Sequence, residues 1–336
     1  YGRRGGPTQW ALAEALTALE PGADGTELFP SGVAAIATTL LALLRPGDEL
    51  LFADTVYEPT RHIALTMLGQ YGISARAFDP LDLAGFAAAI SPQTRVAMLE
   101  SPGSLTMEVA DIPALCAIAR ERGVISVIDN TWATPLGFPA LARGCDISLM
   151  SLTKHVGGHS DLMLGSVSAA APLLARIRSQ AQFTGQVVSP DDAALALRGL
   201  RTMGLRLERG AASALLIAQW LSKCPQVADV LCPLLPGAPG HALWARDFSG
   251  GCGLFSFTLA SPDKAARARL IDGLALFGIG YSWGGFESLV IPFDPATVRD
   301  FGGLPPGAGV RLSIGLEDPE DLIADLARGF AAMAAA

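Results

Sequence analysis

From Thr26 to Gly165 short apolar runs alternate with longer Ala/Leu-rich stretches of helical spacing. The runs Glu49–Ala53, Arg95–Glu100, Val124–Asp129 and Cys145–Ser151 are apolar almost throughout, the pattern of strands covered on both faces. Between them Ile112–Glu121 reads as a surface helix, with Asp111 and Pro113 as its start signal and Gly123 as its stop. Strand and helix in alternation predict a mostly parallel sheet with helices on both faces, an α/β domain at 1–200. The texture then changes. A helical pattern runs from Leu205 to Lys223, and Pro/Gly-rich turns fill Pro233–Gly240. Phe255–Leu259, Gly278–Ser282, Leu289–Pro292 and Val310–Ile314 read as strands of a second sheet, and Pro319–Met333 as a closing helix. Together they predict a smaller α+β domain at 201–336.

Composition narrows the class. The 336 residues are 50% hydrophobic and 17% charged, enough for two packed domains and too apolar for a disordered chain. A formal net charge of -8, with no Lys/Arg run, argues against a nucleic-acid surface. The mean hydropathy of +0.38 raises the question of a membrane span. Its longest candidate, Leu28–Leu44, contains Pro30, Gly32 and two threonines and falls short of the ~20 apolar residues a span needs, so it reads as a buried turn and helix. Five cysteines without a CxxC pair suggest neither a disulfide framework nor a zinc site, and a reducing cytoplasm is expected. The chain opens at Tyr1 with no signal peptide, in what reads as the middle of a motif; a longer natural chain is the expectation.

Three segments carry chemistry. In the first, Asp146 to His159, a buried strand ends in Ser151, Thr153 and Lys154 before a glycine-rich turn. Desolvation at such a strand end lowers a lysine pKa toward a nucleophilic, imine-forming amine, although a lysine reaching the surface along its stem shows the same pattern. In the second, Asp129 closes a strand that reads as central, where ligands of open α/β sheets sit. A carboxylate there is placed to meet a cationic ring nitrogen, or to cap the next helix. In the third, Phe29 to Ile36, a turn with Gly32 leads into an apolar helix whose free N–H groups favour a phosphate; Ser31 as a plain cap is the simpler reading.

Lysine, aspartate and phosphate cradle in this order resemble the pyridoxal-phosphate-dependent enzymes of Cys/Met metabolism. The resemblance spans nearly the whole chain, through Tyr1-Gly-Arg-Arg, Asp54-Thr-Val-Tyr-Glu-Pro, Glu100-Ser-Pro-Gly-Ser-Leu-Thr-Met-Glu-Val, Gly199-Leu-Arg-Thr-Met-Gly and Arg311-Leu-Ser-Ile-Gly-Leu-Glu-Asp. It implies an aminotransferase-like fold of type I and pyridoxal 5′-phosphate as cofactor. It also implies that Lys154 holds the cofactor covalently, that Asp129 pairs with the pyridine nitrogen, and that Tyr57 stacks on the ring. Ser31, Gly32, Val33, Ser151 and Thr153 would hold the phosphate. Arg311 would clamp the substrate α-carboxylate with its planar fork, alongside Tyr281, Ser282 and Trp283. Tyr57 also reads as a core aromatic, and Arg311 as an ion pair with Glu317 or Asp318. Residues 1–6 would be the remnant of an N-terminal arm, with Tyr1 and Arg3 reaching the phosphate of a neighbouring subunit in a homodimer or homotetramer. Phe183 departs from the family, whose members tend to carry a tyrosine there.

The implied reaction is β-elimination from a sulfur amino acid such as cystathionine, in methionine biosynthesis. Tyr281 and Trp283 stand where γ-eliminating or γ-replacing relatives usually show Glu and Leu. A γ-eliminating or γ-replacing relative, β-elimination from other S-conjugates of cysteine or from cysteine itself, and a catalytically idle regulatory role are the alternatives. His155 and His159 are not read as a metal site, because Gly157 and Gly158 lie between them and no third ligand is evident.

Overall fold

A computed structural model describes residues 1–302 and 307–334. Two compact units divide the chain, the first comprising Tyr1–Ser104 and Ala110–Thr202, the second Leu105–Val109 and the chain from Met203 onward.

The first unit is built on seven strands, β1 (Gly25–Phe29), β2 (Glu49–Ala53), β3 (Ser74–Phe78), β4 (Thr94–Glu100), β5 (Ile125–Asp129), β6 (Ile147–Ser151) and β7 (Gly165–Ala169), in spatial order 1-7-6-5-4-2-3. Neighbours from β6 across to β3 pair in parallel, whereas β7 runs antiparallel to both β6 and β1. Leu50, Leu51 and Phe52 of β2 are consecutive and all fully buried, as are Val96, Ala97 and Met98 of β4. Consecutive burial requires cover on both faces, and the apolar runs follow from it. The stretch Leu28–Leu44 ends β1, turns, and forms the helix Gly32–Leu43. Among the described residues no helix is long and apolar enough to cross a membrane.

The second unit carries β8 (Val227–Leu231), β9 (Leu254–Leu259), β10 (Gly278–Ile279), β11 (Leu289–Phe293) and β12 (Gly309–Ser313), ordered 10-11-12-9-8. All pairs are antiparallel except β10 with β11. Phe255 and Phe257 of β9 and Val310 and Leu312 of β12 are fully buried, as are Leu322 and Leu326 of the closing helix Pro319–Ala334.

One strand departs from expectation. The segment Gly278–Ser282 is a strand only to Ile279, because the Arg311 guanidinium takes the carbonyls of Gly280, Tyr281 and Ser282. Strands β1, β3, β7 and β8 were not legible. Three of them are sheet edges, and β3 and β8 are half solvated. The fourth, β7, reads Gly-Ser-Val-Ser-Ala, too small and polar to register as a buried run.

Candidate functional site

The parallel strands β4, β5 and β6 end side by side, with Glu100 in register with Asp129 and Asp129 with Leu149. Their carboxyl ends form the place where open α/β sheets bind ligands. Asp129 is the last residue of β5 and is buried. Its Oδ1 accepts from the Thr131 backbone N–H at 3.0 Å and from the Thr131 hydroxyl. That closes a local turn and does not cap a helix: the helix after it, Thr134–Gly137, has Ala133 at its N-cap position and no side-chain cap. The Thr131 hydroxyl in turn accepts from the Ser151 backbone N–H at 2.8 Å, so the end of β5 is tied to the end of β6. Burial pushes the Asp129 carboxyl above its ordinary pKa, the Thr131 bonds oppose this, and the Lys154 charge opposes it further. A buried carboxylate held back from ionising is compensated by a cation, which fits a protonated ring nitrogen.

Lys154 follows β6 in a tight turn, half-buried, with its N–H on the Ser151 carbonyl at 3.2 Å and its carbonyl accepting from Gly158 at 2.7 Å. Gly158 has φ +67°, which its missing side chain permits. Thr153 exchanges bonds with Leu164, its hydroxyl donating to the carbonyl at 3.2 Å and accepting from the N–H at 3.0 Å.

The helix Gly32–Leu43 starts beside Ser151. Ser31 caps it by accepting from Ala34 N–H at 3.0 Å, as the simpler reading held. Helical geometry leaves the N–H groups of Gly32 and Val33 without intrahelical acceptors. A Cβ at Gly32 would lie 2.8 Å from the Ser151 Cβ, so only glycine lets the helix start come this close to the Ser151 hydroxyl. Two backbone donors and a serine hydroxyl on a helix N-terminus fit a phosphate group.

Tyr57 is partly exposed, and its backbone N–H donates to Glu100 Oε2 at 2.7 Å. The adjoining turn is pinned by the Arg61–Asp54 pair at 2.7 Å and by Ser104 N–H on the Thr55 carbonyl at 2.8 Å. Tyr1 and Arg3 lie on the surface, with Arg3 Nη1 donating to the Gln182 carbonyl at 2.7 Å and its guanidinium 5.6 Å from the Tyr1 ring centroid. A groove of about 560 Å³ there is lined by Arg3, Trp10, Glu27, Arg178 and Gln182 and contains neither Asp129 nor Lys154. Phe183 is 83% exposed. His159 Nδ1 bonds the Gly157 carbonyl at 2.8 Å, while His155 is buried.

In the second unit Arg311 sits mid-strand on β12, buried. Its Nη2 donates to the carbonyls of Tyr281 at 2.9 Å and Ser282 at 3.0 Å, and its guanidinium lies 5.8 Å from the Tyr281 ring centroid. Tyr281 and Ser282 are exposed and Trp283 half-buried. Glu317 directs both carboxylate oxygens to Ser288, and Asp318 Oδ1 accepts from Glu320 N–H.

Sequence reasoning passed over Thr131 and left Glu100 without a role. A hydroxyl two residues after a strand-end Asp is a turn signal that points to Thr131. Nothing local marks Glu100 as the acceptor for residue 57.

The profile of the family described as Cys/Met metabolism PLP-dependent enzyme matches residues 1–331. A cystathionine β-lyase of Salmonella typhimurium is 46% identical over 98% of this chain and 85% of its own. A Rhizobium johnstonii protein described as a putative cystathionine β-lyase is 48% identical over 100% of this chain and 85% of its own. A cystathionine γ-synthase of Xanthomonas oryzae pv. oryzae, solved with aminoacrylate and cysteine, superposes with TM-score 0.93 at 34% identity, covering 99% of this chain and 87% of that one.

Proposed function

The chain belongs to the Cys/Met metabolism pyridoxal-phosphate-dependent enzymes, and from that premise we propose that it is a carbon–sulfur β-lyase cleaving cystathionine to homocysteine, pyruvate and ammonia. Its cofactor is pyridoxal 5′-phosphate. The observation that carries the reading is the pair Asp129 and Lys154, a carboxylate whose burial opposes its own charge and an amine whose charge relieves it, beyond neighbouring parallel strands. The β-lyase relatives at 46% and 48% identity and the sequence Tyr281-Ser-Trp283 support β- over γ-chemistry.

When bound, the cofactor supplies an electron sink for the negative charge developing at the substrate Cα. Lys154 Nζ takes the α-proton and returns a proton to the departing sulfur. Asp129 holds the proton on the ring nitrogen. The N–H groups of Gly32 and Val33 and the hydroxyls of Ser151 and Thr153 hold the phosphate, with Ser31 shaping the cradle as its cap, and Tyr57 covers the ring. Arg311 takes the substrate α-carboxylate through a planar fork, and Tyr281, Ser282 and Trp283 shape the more distant part of the substrate. The Cβ–S bond breaks with both electrons on sulfur, which leaves as the homocysteine thiol. The remaining enamine adds water and releases pyruvate and ammonia.

The substrate is a small sulfur amino acid, and the proposed place of the reaction is methionine biosynthesis in the cytoplasm. A homodimer or homotetramer is proposed, with Tyr1 and Arg3 reaching the phosphate of a neighbouring copy; the exposure of both, and of Phe183 and Trp10, supports it. Product analysis with cystathionine tests the function. Pyruvate with homocysteine is the expected outcome, and 2-oxobutyrate with cysteine would make the protein a γ-lyase.

A further inference from the structure

Between β10 and β11 the segment Gly280–Ser288 carries Tyr281, Ser282 and Trp283 in irregular backbone with three glycines, one of which, Gly284, has φ +80°. Tyr281 and Phe286 are 65% and 51% exposed, so side-chain burial does little to fix its shape. Polar contacts do: beside the bonds of Gly280 N–H to the Val290 carbonyl at 3.4 Å and of Gly278 N–H to the Ser288 carbonyl at 3.0 Å, several come from the stretch Arg311–Glu317, which runs from the middle of β12 past its end. Arg311 holds the carbonyls of residues 280–282. The Ser313 hydroxyl accepts from Gly284 N–H at 3.3 Å, a long bond, and Leu316 N–H donates to the Phe286 carbonyl at 2.8 Å. A Cβ on Gly315 would lie 2.2 Å from that same carbonyl, so the turn approaches the segment as closely as backbone allows.

The strongest hold is at the far end. Ser288 is buried, and its N–H and hydroxyl each donate to one oxygen of Glu317, both at 2.8 Å. The same hydroxyl accepts from Gly315 N–H at 2.9 Å. Two parallel bonds to an ionised carboxylate are roughly twice as strong as neutral ones. They also differ in kind from the Arg311 contacts, because a substrate carboxylate competes for that guanidinium and leaves the Glu317 contact untouched.

We propose that Glu317 and Ser288 are positioning residues that fix the segment bearing Tyr281 and Trp283 and thereby set the preference for long over short thioether substrates. The proposal rests on the assignment of those aromatics to the substrate site. With the hold removed, the segment samples many conformations. A substrate whose distal chain meets the aromatics loses its contacts, and one that ends at the sulfur loses almost nothing.

The test compares the holoenzyme with Glu317→Ala, Glu317→Gln and Ser288→Ala, measuring kcat and KM for L-cystathionine and for S-methyl-L-cysteine, which shares the α-carboxylate and the Cβ–S bond. Glu317→Ala and Ser288→Ala are expected to lower kcat/KM for cystathionine about 10–30-fold, mostly through KM, and for S-methylcysteine less than about threefold. Glu317→Gln falls between, since its amide oxygen still accepts from Ser288 N–H. Bound-cofactor absorbance certifies folding, and if Glu317→Ala fails to load, the other two variants decide. Equal losses on both substrates, or an unchanged ratio between them, overturn the proposal. The assignment of β-chemistry fails separately, on which oxo acid the wild type releases, and the substrate ratio is read on whichever forms.

Discussion

Replacing Asp129 by Asn separates the two tasks a buried strand-end carboxylate can have. Asn keeps the volume, and its amide oxygen accepts the two Thr131 bonds that Oδ1 accepts in the wild type. What disappears is the charge. Burial is the largest influence on the Asp129 carboxyl and raises its pKa, outweighing the hydrogen bonds and the Lys154 charge. A group whose folded pKa exceeds its unfolded value destabilises the fold as pH rises through that interval. In the cofactor-free protein Asp129→Asn therefore gains stability, on the order of 1 kcal/mol at neutral pH, from lost desolvation less weaker hydrogen bonds. The gap over wild type opens as pH rises from the ordinary carboxyl range and closes in acid. With the cofactor bound the order is expected to reverse, because on the proposed pairing with Asp129 the ring nitrogen would lose its counter-charge and the electron sink would weaken. Turnover is expected to fall at least 100-fold, about 2.7 kcal/mol of transition-state free energy. Thermal unfolding of apo and holo forms across pH, with steady-state kinetics, measures both. A rate loss below about tenfold, or an apo variant several degrees less stable than wild type at neutral pH, would show that Asp129 serves the turn at Thr131 and not the cofactor.

Lys154→Ala is expected to abolish turnover and the yellow absorbance of the lysine-linked cofactor, and near-normal activity in that variant would move the catalytic amine elsewhere. Tyr281→Glu with Trp283→Leu should lower kcat/KM for cystathionine β-cleavage by roughly 10–200-fold while unfolding temperature changes little; unchanged kinetics would reduce both aromatics to packing. Glu49, held by Arg76 and by the hydroxyls of Thr94 and Ser91, has its carboxyl pulled down to about 2. Its contribution is present above the ordinary carboxylate pKa and lost as pH falls from about 4.5 towards 2, so Glu49→Gln should lose roughly 1–2 kcal/mol at pH 7, discounted for the exposed Arg76, and the difference should shrink through that window and vanish at about pH 2. Equal pH dependence in wild type and variant by urea unfolding would refute that role.

The hydrophobic pattern of this chain determined its strands wherever burial on both faces forces consecutive apolar residues, as at β2, where Glu49–Ala53 is legible end to end. Helix Ile112–Glu121 was equally legible, because its start and stop signals are local in sequence. Family motifs singled out Lys154, Asp129 and Arg311, since each marks a short stretch of unusual chemistry. Other features needed tertiary structure, because their partners are remote along the chain and packing alone chooses them. Glu100 accepts from the backbone of Tyr57 across 43 positions, and Ser288 meets Glu317 across 29. The end of β10 at Ile279 belongs to the same class: Gly278–Ser282 has a strand-like sequence, but an arginine about thirty residues further on takes the carbonyls that a ladder would have used.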